Sequence, residues 1–456
     1  MSRSTEPPSN DVVPRRGFAN RSELIEHLGA LHPDIIARGR QVSPIRGGRA
    51  AALEALQGID PPRYERTRNY LDGAVTRLSP YLRHGVLTLA EVRNHALKLV
   101  KHPVEAAKFI NELGWRDYWQ RVYERLGDGV WRDREPYKTG YSARRYAAEL
   151  PQEIAEGQTG MACMDEFARE LRDTGYLHNH ARMWLAAYVV HWRQVRWQAG
   201  ATWFLEHLLD GDPASNNLSW QWVASTFSHK PYVFNRENLE KYTGGRYCRS
   251  CPLKGRCDLE GSYDQLEQRL FPHGLRASDG SAEDDSVLGR NGDPIAPRKI
   301  NSPFPKSDPV LIWAHEDALD PQAEVFRSYP NAPALFVWDD SHLRNPRAPY
   351  SFKRVVFLAE CVEELPAAVE VARGEPSTLL AQAIARVGAK RLVAANSVNP
   401  RVHAILNQVE KLARVPIEVL SEQPFLPYNG PIDLKRFSRY WRVAERYAMG
   451  MGGGRV

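Results

Sequence analysis

The chain has 456 residues and a mass of 51.8 kDa; 43% of the residues are apolar and 25% charged, with a net charge of +6 and a pI near 9.0. That length exceeds what one hydrophobic core usually fills, so two domains are expected, and no apolar run approaches the ~18 residues of a membrane span. Mild basicity together with 10% aromatic residues suits nucleic-acid bases or a flat cofactor stacked on rings, although a large aromatic core has the same composition.

Residues 1–21 read as a disordered tail: MSRSTEPPSNDVVPRR has no apolar signal-peptide core, so the protein is expected in the cytoplasm with no membrane partner. From 22 to 274 the periodicity is helical. ELIEHLGALH, LAEVRNHALKLV, EAAKFINELGWRDYWQRVYERL, MDEFARELRD and ARMWLAAYVVHWRQVRW place apolar residues three and four apart. Residues 275–308 are rich in Gly, Pro, Ser and Asp and read as a linker. Over 309–442 the short runs VLIWA, ALFVWD, RVVFLA, RLVAAN and IEVLS read as buried strands, with helical stretches such as PSTLLAQAIARVGA and RVHAILNQVEKLAR between several of them. That alternation predicts an α/β domain with a doubly wound parallel sheet, following an all-α domain. Residues 443–456 read as a flexible end. No Gly-x-Gly-x-x-Gly follows the first strand, so the sheet lacks the dinucleotide fingerprint.

Four segments of the helical domain carry chemistry-bearing residues: RNYLDGAVTRLSPYLRHG, INELGWRDYW, TGYLHNHARMW and DGDPASNNLSWQW. On a helix Glu112 and Arg116 share a face with Trp115, and Asn179, Arg182 and Met183 repeat that geometry. Each set alone fits an ordinary surface pair. Trp220 and Trp222, two apart, point in nearly opposite directions on a helix.

Together the four segments resemble the flavin-binding domain of the DNA photolyase and cryptochrome family, in its order and spacing, over about 50–245. The resemblance implies an all-α FAD-binding domain followed by a Rossmann-like, antenna-type domain. It implies that Tyr70, Thr76, Arg77, Leu78 and Ser79 hold the FAD phosphates and ribityl chain, and that Phe109, Glu112 and Arg116 line the pocket. Asn179 and Arg182 with Asp210, Asp212 and Asn216 would surround the isoalloxazine, Arg182 pairing with Asp210 and Asn216 sitting at N5. Trp220 would be the proximal electron donor and Trp197 the middle one, with Trp131, Tyr137 and Tyr141 in the segment of the third. In members that repair cyclobutane pyrimidine dimers the lesion pocket carries a Glu, a Trp, an Asn, a Met and an outward Trp, and Glu112, Trp115, Asn179, Met183 and Trp222 stand there. Members acting on the (6-4) photoproduct carry histidines in place of Asn179 and Met183. The expectation is therefore a deoxyribodipyrimidine photo-lyase-like enzyme that binds damaged DNA as a monomer. The alternatives are a blue-light cryptochrome without repair activity and light-independent electron transfer. Leu218-Ser219, in place of the usual Gly-Gly, and His180, where many relatives have Arg, depart from the family. Leu218 would narrow the cavity, and loss of the Arg would weaken a phosphate contact.

Cys248, Cys251 and Cys257 form Cys-x-x-Cys-x5-Cys, which by itself leaves zinc, an iron–sulfur cluster or free thiols open. The segment resembles the tail of iron–sulfur bacterial photolyases, which implies a [4Fe-4S] cluster; those relatives place their fourth cysteine nearer the position of Leu177, and here Cys163, in the helical domain, is the candidate for the fourth ligand. Cys361 reads as a free buried thiol. The stretch RGEPSTLLAQAIARVGAKRLVAANSVNPR resembles the family's light-harvesting domain, which ordinarily comes first, so the order implies a circular permutation. Because the family's signature after the first strand is missing, an antenna chromophore is left open in presence and identity.

Overall fold

The computed structural model describes residues 12–274, 305 and 307–450. Residues 1–11 and 451–456, and nearly all of the expected linker, lie outside the described residues. No described helix is long and apolar enough to cross a membrane.

Residues 21–270 form helices joined by short turns. The helix Ala107–Leu126 runs through the middle, burying Phe109 and Leu113 on one face and Tyr118 and Val122 on the opposite one, and stops at Gly127, whose φ of 48° is a glycine conformation. The stretch read as one periodic helix around 181–197 is interrupted. Asn179–Ala187 widens into a π turn over Tyr188–Trp192, and Gln194, at φ 48°, turns the chain into a separate helix, Trp197–His207. The start of Pro213–Ala224 has a physical reason: the Asp212 side chain accepts from the Ala214 and Ser215 amides, and Pro213 occupies the first turn.

The second domain is a five-stranded, wholly parallel sheet: β1 Val310–Ala314, β2 Ala334–Trp338, β3 Val369–Arg373, β4 Arg391–Ala395 and β5 Ile417–Leu420, in the order β3-β2-β1-β4-β5. Four of the five expected strands are present. The fifth, RVVFLA, lies inside the helix Phe352–Glu363, a run buried almost all round between the sheet and Arg21–Leu31, where periodicity cannot tell strand from helix. The strand actually at that place in the sheet, VEVAR, is a half-buried edge with an exposed Glu370 and was not visible as an apolar run.

Domain boundaries differ from those expected at both ends. Within the expected tail, Arg16 donates to the backbone carbonyls of Pro366 at 2.9 Å and Val369 at 2.8 Å, tying residues 12–20 to the sheet domain. Residues 443–448, expected to be flexible, belong to the helix Phe437–Ala448, which packs on Ala107–Leu126 with Tyr440, Ala444 and Ala448 buried. Its Trp441 lies where only a glycine fits: a Cβ on Gly114 would come within 2.2 Å of the indole. One apolar core therefore runs from Leu24 and Leu28 through Phe109 and Tyr118 to Phe352, Phe357 and Tyr440, crossing both domains. A second core, with Trp184, Trp197 and Trp220, belongs to the helical domain alone.

Candidate functional site

The helical domain encloses a cavity of about 560 Å³. Its walls come from one face of Ala107–Leu126 (Phe109, Glu112, Trp115, Arg116), one face of Asn179–Ala187 (Asn179, Arg182, Met183), the helix Pro213–Ala224 (Asn216, Trp220, Trp222) and the segment Thr76, Arg77, Leu78 and Ser79. Helical spacing of three and four residues is what brings each set to one wall. Arg77 has φ 53°, left-handed backbone that a side chain rarely adopts, and such strain concentrates at ligand clamps.

Asp210 is the electrostatic centre of the cavity. Burial would raise its carboxyl, but the Arg182 guanidinium at 3.0 Å and a hydrogen bond from Ser79 hold it below the usual carboxylate range. Its Oδ1 has no hydrogen-bond partner although it is buried. Arg182 also donates from Nε to the Leu177 carbonyl at 2.8 Å, so one planar fork ties two loops together. The Tyr176 ring lies between two guanidiniums, Arg77 at 5.3 Å and Arg182 at 5.6 Å. Glu112 is paired with Lys108 at 2.9 Å and Arg68 at 3.0 Å. Asn216 commits its amide nitrogen to the Ala201 carbonyl at 3.0 Å and to Asn217 Oδ1 at 3.1 Å, which leaves its oxygen as the group it can offer a ligand.

Tyr70, Asp212 and Trp197, named in the sequence, lie outside the cavity lining. Tyr70 is 37% exposed and meets Tyr242 edge-on at 5.3 Å; Tyr64, one and a half turns earlier and edge-on to Phe109 at 5.2 Å, lines the cavity instead. Asp212 caps its helix, accepts from Gln120 at 2.6 Å and stands 3.6 Å from Arg116, behind the wall. Leu218 points into the core rather than narrowing the cavity. His180 is stacked between His178 and Tyr242, and burial, with Arg68 nearby, pushes its imidazole down to about 4, so it is a neutral ring at neutral pH. Lining residues given no role in the sequence are Tyr64, Arg68, Lys108, Tyr176 and His178; Arg68, Tyr176 and His178 stand within the quoted segments RNYLDGAVTRLSPYLRHG and TGYLHNHARMW, which was the available signal for them.

In the cavity wall Trp220 is 2% exposed, edge-on to Phe204 at 4.9 Å, and lies against Gly200, where a Cβ would come within 2.2 Å of the indole. Trp197 sits on that same helix, fully buried. Trp115 lines the cavity while Phe437, from the other end of the chain, stacks on its indole at 3.7 Å and 9°.

The sheet domain supports the Asp210–Asp212 turn. The Gly211 carbonyl accepts from Arg83 at 3.1 Å and from Arg354 at 3.0 Å, and Arg354 itself stacks on Tyr350 at 3.7 Å. Arg83 pairs with Glu316 and Asp317, which follow β1. A second cavity of about 470 Å³ lies between the domains, lined by Asp317, Asn396 to Asn399 and Leu420 to Glu422 beyond the ends of β1, β4 and β5. It shares Leu82 and Arg116 with the first. Strand order reverses between β1 and β4, the place where open α/β sheets hold ligands.

Cys163, at the start of the helix Ala162–Thr174, and Cys248, Cys251 and Cys257 line one small pocket of about 20 Å³ with Met161, Arg236 and Tyr247. Burial, with the neighbouring thiols adding to it, pushes the Cys163 thiol up, and Cys248 goes to about 11. As placed, no three His, Cys, Asp or Glu side chains among the described residues have metal-holding geometry. Cys361 is buried apart and accepts from the Gly48 amide at 3.2 Å.

Residues 109–263 match the family described as the FAD binding domain of DNA photolyase. A deoxyribodipyrimidine photo-lyase of Streptomyces griseus is 36% identical over 185 residues, 40% of each chain, and one of Halobacterium salinarum is 32% identical over 247 residues, 50% of each. The crystal structure of a bacterial class III photolyase from Agrobacterium tumefaciens superposes with a TM-score of 0.41 at 23% identity, over 50% of this chain and 55% of that one. The chain thus spans about half the length of the curated relatives it matches.

Proposed function

The helical domain belongs to the photolyase and cryptochrome family, and from that premise we propose that the chain binds FAD and repairs cyclobutane pyrimidine dimers in DNA by light-driven electron transfer. The observation that carries this reading is that one cavity is lined both by Asp210, Arg182 and Asn216 and by Glu112, Trp115, Asn179, Met183 and Trp222. A single space then serves cofactor and lesion.

The residues present suit FAD. A cavity of about 560 Å³ falls in the range of cofactor clefts, roughly 300–1,000 Å³. The partnerless Oδ1 of Asp210 awaits a donor, and Arg77 and Arg182 supply cations for phosphates and for a reduced, anionic ring. Bound and reduced, the flavin supplies, on absorbing light, the electron that opens the cyclobutane ring and then returns. The chain does the rest. Thr76 to Ser79 hold the diphosphate and ribityl chain, and Asn216 accepts a hydrogen bond through its free oxygen. Trp115 and Trp222 give apolar faces for a dimer flipped out of the duplex, and Glu112, steadied by Arg68 and Lys108, meets its polar edge. Trp220 and Trp197 relay electrons inward.

Lesion binding tests this reading. A duplex carrying one dimer is expected to bind more tightly than its undamaged counterpart, and, with about four phosphates neutralised, affinity should fall roughly 150-fold between about 50 and 200 mM salt. Equal affinity for both duplexes, or affinity indifferent to salt, would contradict it.

We also assign a [4Fe-4S] cluster to Cys163, Cys248, Cys251 and Cys257; the support is the convergence of these four thiols, and no others, on one pocket. Anaerobically purified protein should contain about four irons, and Cys163→Ser should lose most of them together with the cluster's visible absorption. One zinc per chain, or iron unaffected by the substitution, would contradict the assignment. The cavity beyond β1 and β4 is the place for an antenna chromophore. The order of the two domains fits a circular permutation.

A further inference from the structure

Trp197 is fully buried, yet its indole N–H donates to Oδ1 of Asp133 at 2.7 Å, and Asp133 is exposed to solvent. The same carboxylate oxygen accepts from Gln198 at 3.0 Å, which fixes its position. One hydrogen bond thus joins a buried indole to a base that faces water. Neighbouring indoles are placed differently. The Trp220 N–H has no partner, and Trp192 donates to the Asp258 backbone carbonyl at 3.0 Å, a group that cannot take up a proton at neutral pH.

We infer that Asp133 takes the indole proton of Trp197 when that tryptophan is oxidised, so that the relay behind the flavin ends on a neutral Trp197 radical; the inference rests on the flavin reading above. In the relay Trp220 gives one electron to the excited flavin, and Trp197 gives one electron to oxidised Trp220. The Trp197 Nε1–H bond then breaks heterolytically: its electron pair stays on the indole, and its proton goes to Asp133 Oδ1 and on to water. A thiol reductant supplies the electron and proton that restore Trp197. An indole that has lost an electron is a far stronger acid at nitrogen than a neutral one, so a carboxylate at hydrogen-bond distance removes the proton readily. Return of the electron from the flavin side then requires the proton to come back as well, which holds the charges apart.

The structure also explains why the relay stops there. Tyr137 and Tyr146 stack at 4.4 Å in the same core, and Tyr137 lies beside Trp197. Oxidising a phenol requires its proton to leave with the electron. The Tyr137 hydroxyl finds no partner of hydrogen-bonding geometry, and Tyr146 meets only the Thr139 hydroxyl, at 2.7 Å. Burial pushes both phenols up, Tyr146 to about 12. Trp131 belongs to the other core, under Arg347.

Transient absorption of the flavin-loaded, full-length protein tests this, with Asp133→Asn as the decisive variant, because the amide oxygen still accepts the hydrogen bond but cannot take the proton. The wild type should show an indole radical cation converting to the neutral radical, more slowly in D2O. In Asp133→Asn the neutral-radical signal should be lost and the cation should recombine, whereas Asp133→Glu should restore deprotonation. Neutral radical formed at the wild-type rate in Asp133→Asn, or a tyrosyl signal in the wild type that Tyr137→Phe removes, would overturn the inference. Wild-type protein that takes up no flavin on reconstitution would overturn the cofactor reading itself, and the relay with it, before any variant is made.

Discussion

Replacing Trp220 with phenylalanine slows light-driven reduction of the bound flavin by about tenfold or more, a rise in barrier above roughly 1.4 kcal/mol, while protein whose flavin is reduced chemically still repairs. The substitution is clean for structural reasons. The Trp220 N–H has no hydrogen-bond partner, so no buried acceptor is orphaned by its loss, and a phenyl ring keeps the edge-on contact with Phe204. The cost in stability is confined to the volume of the missing ring against Gly200, about 1–3 kcal/mol. What changes is the donor, because a benzene ring is much harder to oxidise than an indole and Trp197, outside the cavity lining, is the next one back. Flavin photoreduction followed by absorption, in the presence of a thiol, reads the effect. An unchanged rate would remove Trp220 from the relay.

Arg182→Ala should weaken flavin binding by about 100-fold. It removes the cation nearest Asp210 and leaves a buried carboxylate whose remaining cationic neighbours include Arg116 and Arg354. What flavin binding itself loses is a charge-assisted contact from the guanidinium, about 1.5–3 kcal/mol, whose upper end is roughly two decades in dissociation constant. Arg182→Lys should recover only part of this, since one ammonium cannot reach both the Leu177 carbonyl and Asp210 as the guanidinium does. Flavin content and a fluorescence titration measure it. Full flavin occupancy in Arg182→Ala would show that the pair is not part of the cofactor site.

Much of this site could be read in the sequence because it is built from helices. The spacing of Glu112, Trp115 and Arg116, and of Asn179, Arg182 and Met183, fixes which side chains share a wall, and the cavity is lined by both sets. Where geometry is set by a turn or by distant chain, the sequence said less. Tyr70 faces Tyr242 rather than the cavity because the turn after Thr67 carries it outward, and Tyr64 replaces it. Phe437 and Arg354 support Trp115 and Gly211 from more than a hundred residues away, and no local pattern announces either contact. In the sheet domain the short apolar run RVVFLA looked like strand although it lies inside the buried helix Phe352–Glu363, while the half-exposed VEVAR did not. The end helix Phe437–Ala448 was hidden among charged and aromatic residues, and it is its burial against Ala107–Leu126 that gives it a place.

The most direct measurement of the central claim is light-driven repair by the full-length protein. The purified chain, with its flavin reduced chemically, is mixed with an oligonucleotide duplex carrying a single cyclobutane thymine dimer and either illuminated with blue light or kept dark. The account predicts restored thymines in the light only, with more dimers repaired than protein molecules present. Intact dimers after illumination, despite a fully reduced flavin and tight binding of the lesion, would contradict it and leave a light receptor that recognises damage without repairing it.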